Sequence, residues 1–486
     1  MYPISRRAFL TTVAGSAASC TLIGTQGCAQ VDTRLDTRSK VDSTSTDDQH
    51  ARDWAMADEI RQQTLVPEFP PSVFDIRDYG AVSDTETDNS AAFAAAIEAC
   101  SAAGGGRVLV TEGNYLTGPI HLKSNINLHV DEGARIRFVT DPQSYLPEVF
   151  TRWEGMEFMG YSPLIYAYKQ KNIAITGKGV LDGQANRTTW WPWKGNEEWG
   201  VEGMPTQDAG RAQLERDVAA GVPPERRHYS EGFYFRPPFV QPYLCENVLI
   251  EGVKIVSAPF WLLNPVLCEN VTVRDVTLAS LGPNSDGCDP ESCRNVVIEN
   301  CYFDTGDDCI AIKSGRNADG RRINRPAENI VIANCQMRAG HGGVVIGSEI
   351  SGGARNIFAE NCEMSSPDLE RGIRIKTNSV RGGLIEHLRY RNITIGEVQD
   401  AIVINFYYEE GDAGRFDPTV RDIEIRDLVC KKAQSVFQIR GFARAPITDL
   451  RIVDAHFENA EDPGVIEHVD NLVVRNVTIN GKAFEP

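Results

Sequence analysis

The second half of the chain repeats a short pattern: an asparagine, then apolar and polar residues in alternation, then a loop. The copies read NVLIEGVKI, NVTVRDVTL, NVVIENCYF, NIVIANCQM and NIFAENCEM. They start at Asn247, Asn270, Asn295, Asn329 and Asn356, at intervals of 23, 25, 34 and 27 residues. Weaker copies begin at His387, Asp422, Asp449 and Asn471, and earlier ones at Asn125 and Asn172. Alternation with a period of two marks a strand, and a long repeat built of short strands marks a solenoid. No single turn of such a chain can bury its apolar face alone. Stacking the turns in parallel, with strands about 4.8 Å apart, gives a continuous core. The pattern therefore predicts an all-β fold, a right-handed parallel β-helix, the hand following the general rule for parallel crossovers. The sixth residue after each asparagine is Val253, Val276, Cys301, Cys335 and Cys362. These predict one inward column of small apolar groups, a buried thiol behaving as a small hydrophobe.

Upstream the pattern changes. DIRDYGA, from Asp75, predicts a strand ending at a glycine turn. DNSAAFAAAIEAC, from Asp88, predicts a short N-terminal capping helix with Asp or Asn at its N-cap, and GGGRVLVTEGNY the return strand. Such a helix covers the open end of the sheet. The solenoid domain spans 71–486, with a loop insertion at about 183–245. That insertion carries Trp190, Trp191, Trp193 and Trp199, then Arg226, Arg227 and His228, then YFRPPF. Its tryptophans suit either a small core of its own or stacking on sugar rings. Residues 31–70 read as a polar linker with room for one short helix. Residues 1–30 read as an export signal of twin-arginine type, from Ser5-Arg6-Arg7-Ala8-Phe9-Leu10. The run that follows is too short for a membrane span. Export places the protein in the periplasm or outside the cell. Cys28 is a candidate lipid-attachment site, although Thr25-Gln26-Gly27 makes a poor lipobox.

Composition adds constraints. The 486 residues are 42% hydrophobic and 24% charged, ample for a core. A net charge of −18 argues against nucleic acid or an anionic membrane as partner. Residues 313–381 are the exception, with eleven Lys or Arg against seven Asp or Glu. A locally basic groove would take an acidic ligand. Twelve cysteines in an exported chain raise the prospect of disulfides. Three of them belong to the inward column, and Cys288 with Cys293 is the nearest to a plausible pair.

Polar residues that break the alternation gather in consecutive repeats. Counted from the leading asparagine of each repeat, Asp286 lies at 16, Asp307 and Asp308 at 12 and 13, and His341 at 12. Arg374 and Lys376 lie at 18 and 20, and Lys313 at 18. On this count His341 shares the column of Asp307, and Lys313 that of Arg374. Stacking brings three carboxylates, a histidine and cations onto one wall. Close carboxylates force their proton affinities apart, so one can act as an acid while another stays a base. Hydrolysis of a glycosidic bond needs that division.

PNSDGCDPES, DTGDDCIAIKSG, GHGGVVIGSE and RGIRIKT resemble, in order and spacing, the four motifs of glycoside hydrolase family 28, the polygalacturonases. The resemblance covers about residue 72 to the end. It implies a parallel β-helix that hydrolyses α-1,4-linked galacturonan with inversion, using neither metal nor other cofactor. It implies Asp307 as general acid, Asp286 and Asp308 as activators of water, and His341 as the partner that keeps Asp307 protonated. Arg374 and Lys376 would bind the galacturonate carboxylate, with Asn284 and Tyr408 as further substrate contacts. Ser285 replaces the usual Thr. Lys313 stands where many members have Asn, which suggests an extra carboxylate contact. LDGQANRTTWWPW, PFWLLNPVLCENV and GSEISGGARN are most similar to the bacterial exo-acting branch, with the insertion closing one end of the groove. The columns of Asp307 and Asp286 differ by four positions. With one coil step of about 4.8 Å, that is compatible with the 6.5–9.5 Å gap of an inverting hydrolase. The expected partner is an acidic plant-type polysaccharide or oligogalacturonide. Other readings are a rhamnogalacturonan or xylogalacturonan hydrolase, a Ca²⁺-dependent lyase on the same solenoid, and a non-catalytic carbohydrate-binding solenoid.

Overall fold

The computed structural model describes residues 43–196 and 198–486, so the export signal expected over 1–30 lies outside the described residues. The chain divides into two units, Met1–Gln49 and His50–Pro486. Helix α1, Ser43–Gln63, begins in the first, and the rest of the described structure belongs to the second. No described helix is long and apolar enough to cross a membrane.

The second unit is a right-handed parallel β-helix. Its register follows the repeats. Ile173, Val248, Val271, Val296, Ile330, Ile357, Leu388, Ile423 and Leu450 pair in sequence along one column, each no more than 2% exposed. The column of small groups is also present, with Val253, Val276, Cys301, Cys335 and Cys362 all buried. Cys288 and Cys293 are both free, as are the other cysteines among the described residues.

The leading asparagines have a reason to be asparagine. Asn247, Asn270, Asn295, Asn329 and Asn356 hold φ between 56° and 58°, in the left-handed region that Asn tolerates better than most residues. Each Nδ2 donates to the Oδ1 of the asparagine one coil before, at 2.8–3.2 Å. Asn172 extends this ladder to Asn125, and His387 Nδ1 meets Asn356 Oδ1. Each rung turns the chain and satisfies a half-buried amide at once.

Helix α2, Ser90–Ala102, caps the open end and buries Phe93, Ala96, Ile97 and Cys100. Its first turn is capped by Asp88, whose Oδ1 accepts from Ser90 N at 2.9 Å. Asn89 instead bonds the loop at Val82. The stretch 31–70, expected as a linker, holds the whole of α1. From His50 onward α1 packs on the flank of the solenoid. Trp54 meets Phe358 edge-on, and buried Asp53 is bonded by Arg389 at 2.5 Å and His387 at 3.1 Å. Its apolar positions are too sparse to have signalled this docking.

The insertion is a packed unit. Trp190 is 1% exposed and lies edge-on to Tyr145 and Trp193. Helix α3, Asp208–Ala219, buries Leu214 and Val218 in a second core with Trp153, Phe158, Phe235 and Phe260. That core also holds a hairpin with no counterpart in the sequence reading, Val149–Trp153 paired antiparallel with Met156–Gly160. Glu154 and Gly155 form its two-residue turn, both at positive φ, as such hairpins require.

Candidate active site

Three short parallel strands build the wall of the site: Ile310–Ile312, Val344–Ile346 and Arg371–Lys376. Ile310, Ile312, Val344, Ile346, Ile373 and Ile375 belong to the main core, so the intervening side chains face out. Asp307, Asp308 and His341 sit at the corners leading into these strands. His341 lies beside Asp307 one coil on, its N donating to Asp307 O at 3.2 Å. That column is as the repeat count expects.

Two columns differ from the count. Cys288 bridges Ile310, so Asp286, two residues earlier, aligns with Asp308 rather than four positions from Asp307. Ser280 pairs Thr305, yet six residues lead from Ser280 to Asp286 and three from Thr305 to Asp308. The corner holding Asn284 and Ser285 is the longer one and absorbs the offset. Likewise Ala311, Val345 and Arg374 form one column, and Ile312, Ile346 and Ile375 the next. Lys313 therefore falls in line with Lys376, not Arg374, because the corner before Arg371 is longer by two residues.

These shifts bring the acids close. Asp286, Asp307 and Asp308 each offer an oxygen within 4.8 Å of the others. Between their nearest oxygens the gap is narrower than the 6.5–9.5 Å expected between carboxyl groups, so spacing gives no argument for inversion. Asp308, 0% exposed, accepts from Lys376 Nζ at 2.6 Å and Arg374 Nη1 at 3.3 Å. Asp307 Oδ1 meets His341 Nδ1 at 2.9 Å, and Asn284 Nδ2 faces Asp307 Oδ2 at 3.5 Å. Tyr408 is half-buried, its ring centre 5.4 Å from Arg374 Cζ and 5.2 Å from Lys376 Nζ. Such a trio of acids could hold a cation, but lysine, arginine and histidine already neutralise it.

Lys313 is not where a substrate contact is expected. It is 2% exposed and surrounded by the protein's own carboxylates: Glu349 at 3.1 Å, Asp286 at 3.5 Å and Asp289 at 3.8 Å. The ring of Trp261 closes it from the other side, 4.5 Å away. Glu349 also meets Arg316 at 3.4 Å, and Arg316 meets Glu154 of the hairpin at 3.4 Å. Neither Glu349 nor Glu154 stands out in the repeat pattern. GSEISGGARN could have drawn attention to the first, and nothing local marks the second.

Protons are distributed by these neighbours. Burial pushes the Asp286 carboxyl well up, and Asp289 and Asp307 add to it against Lys313. Burial also pushes Asp307 up, but the charge and hydrogen bond of His341, with Lys376 and Lys313 behind, outweigh it and hold Asp307 well below the carboxylate range. Asp307 in turn raises His341 to about 9, against burial. At rest, then, the proton of this pair sits on His341 and not on Asp307, the reverse of the placement that the motif resemblance implies.

Comparison with known proteins agrees with the geometry. Residues 232–438 match glycosyl hydrolases family 28, and residues 73–135 match rhamnogalacturonase A/epimerase, pectate lyase-like. The crystal structure of a hyperthermoactive exopolygalacturonase from Thermotoga maritima is 44% identical, with a TM-score of 0.86 over 89% of this chain and 97% of that one. An exo-poly-alpha-D-galacturonosidase from Dickeya chrysanthemi is 25% identical over 470 residues, 86% of this chain and 75% of its own length. A family 28 exopolygalacturonase from Yersinia enterocolitica, 22% identical, shares the fold with a TM-score of 0.64 over 85% of this chain and 79% of that one. A three-carboxylate site on a parallel β-helix, found together with these relatives, makes the chain a glycoside hydrolase that belongs to glycosyl hydrolase family 28.

Proposed function

We propose that this enzyme hydrolyses α-1,4-linked galacturonan and releases galacturonate from a chain end with inversion at the anomeric carbon. The observation that carries this reading is the trio Asp286, Asp307 and Asp308 set against Arg374 and Lys376. Those two cations, with Tyr408 beside them, suit a uronate carboxylate next to the scissile bond. Asp307 delivers a proton to the leaving oxygen, drawing on the proton that His341 holds at rest. Asp308 and Asp286 flank the attacking water, whose oxygen bonds to the anomeric carbon as the glycosidic bond breaks. The water's proton passes to this carboxylate pair. A water held between Asp286 and Asp308, the latter already bonded by Lys376 and Arg374, favours water over direct carboxylate attack and so favours inversion. The insertion, and the likeness to exo-acting relatives, support attack from a chain end. Lys313 serves as an internal counter-charge.

The test is product analysis on polygalacturonic acid, with rhamnogalacturonan and xylogalacturonan alongside. Monomer is expected as the earliest product from polygalacturonic acid, with little release from the other two and no loss of activity in EDTA. NMR of the fresh product should show the inverted anomer. A ladder of oligomers removes the exo assignment, and a retained anomer removes the water-activating role of Asp286 and Asp308.

A further inference from the structure

The insertion meets the corner that holds Asn284 through Arg236 of the YFRPPF stretch. Arg236 is 0% exposed. Its guanidinium donates to Pro283 O at 2.6 Å, Asn284 Oδ1 at 2.8 Å, Pro259 O at 3.1 Å and Gln207 Oε1 at 3.3 Å. All four acceptors are neutral, and among the described residues no carboxylate pairs with it. A charge this deeply buried is ordinarily paired. Here the positive charge is left to act on groups further off. Burial brings the Arg236 guanidinium down to about 9 against the pull of Glu154, Asp307 and Asp286, which leaves it charged at neutral pH.

The bond to Asn284 fixes more than a loop. A guanidinium only donates, so the amide must turn Oδ1 toward Arg236. That leaves Nδ2 facing Asp307 Oδ2. The other oxygen, Asp307 Oδ1, already receives His341 Nδ1 and, at 2.9 Å, Asp308 N. Oδ2 is thus the oxygen available to a leaving group, and the Asn284 amide borders it. The charged groups facing Asp307 come from every side. His341, Asp308 and Asp286 stand on its own and neighbouring coils, with Glu370 beyond His341. Arg374, Lys376, Lys313 and Tyr408 lie across the wall. Lys194 and Arg236 approach from the insertion. Of the cations, Arg236 alone combines complete burial with purely neutral partners.

We propose that Arg236 is a positioning residue for Asp307: through Asn284 it aims the oxygen that carries the proton, and by its unpaired charge it sets the pH range in which the acid and base work. This rests on the assignment of Asp307 as the acid. It makes the insertion part of the acid–base machinery as well as a wall of the groove.

The experiment is the pH profile of kcat/KM on polygalacturonic acid for wild type, Arg236→Met and Arg236→Lys, with Asp307→Asn as control. A positive charge lowers the proton affinity of Asp286 and of the Asp307–His341 pair, which shares the acid's proton. Its loss in Arg236→Met should move both limbs of the profile to higher pH, by about half a unit or more. Arg236→Lys keeps a charge and a donor and should bring the limbs back toward wild type. An Arg236→Met profile lower in height but unmoved in position overturns the proposal and leaves Arg236 a packing residue. Should Arg236→Met not fold, Asn284→Ala takes its place. It removes the donor beside Asp307 and should move the alkaline limb alone, and an unmoved limb overturns the proposal. Asp307→Asn separates this from the reading beneath it, since acid catalysis is worth about 10²–10⁴ in kcat. An Asp307→Asn enzyme keeping more than about a tenth of wild-type kcat sinks the acid assignment. A nearly inactive one beside an unmoved Arg236→Met profile sinks only the role of Arg236.

Discussion

Asp307 and Asp308 are adjacent in sequence and yet serve different partners. They sit at a corner, where successive side chains need not alternate, so both reach the groove. Asp307 faces His341, and Asp308 faces Lys376 and Arg374. The first pairing makes a prediction about pH. The Asp307 carboxyl is depressed below its ordinary 3.8, so its share of stability is present above that value and is lost as pH falls through the depressed one. His341 is raised from 6.5 to about 9, so its share is complete below 6.5 and is lost as pH rises through about 9. The difference in Tm between wild type and His341→Gln should therefore be widest between about pH 4 and 6.5 and close above about pH 9. Thermal melts across that range check this, and a difference that is constant with pH would mean the pair is not an ion pair. The motifs made these residues legible, because each motif carries its own acid or base. Arg236 and Glu349 were not legible, because their roles come from neighbours far along the chain.

At the scale of single elements, the asparagine ladder separates two effects that usually travel together. Asn295 sits at φ 58° and bonds Asn270 and Asn329 on either side. Asn295→Gly loses both hydrogen bonds but keeps the backbone at ease. Asn295→Ala loses the bonds and, unlike glycine, keeps a Cβ in the left-handed region, at about 1–2 kcal/mol. Denaturant melts should therefore place the alanine variant below the glycine variant by about that amount, and equal stabilities would mean the corner relaxes. The insertion gives a second prediction. Trp190 is sealed in the core, so Trp190→Ala should destabilise by about 3–5 kcal/mol and leave KM nearly unchanged in the protein that remains folded. A large rise in KM at full stability would instead return Trp190 to the sugar. Strand faces were readable from alternation alone. Corner lengths were not, since a loop residue leaves no periodic trace, and so the columns of Asp286 and Lys313 slipped.

For the whole molecule, the solenoid and its cap were legible because one physical demand, burial of an alternating face, is written out coil after coil. The hairpin at residues 149–160 and the docking of α1 are single events without repetition, and nothing periodic announces them. The inward columns carry one further consequence. All ten cysteines among the described residues are free and buried, and several sit on successive coils, such as Cys245, Cys268 and Cys293, or Cys301, Cys335 and Cys362. In the finished fold no oxidant reaches them. In the unfolded chain these ten are open, and among the described residues no native disulfide marks one pairing as correct. Order of events thus becomes a constraint: where the chain meets an oxidising compartment, it must already be folded or shielded. Native enzyme should be nearly inert to a thiol-reactive dye and keep its activity in air. Unfolded enzyme should react in full and regain activity only where a reductant is present, and equal recovery without one would show that the thiols close off faster than they oxidise.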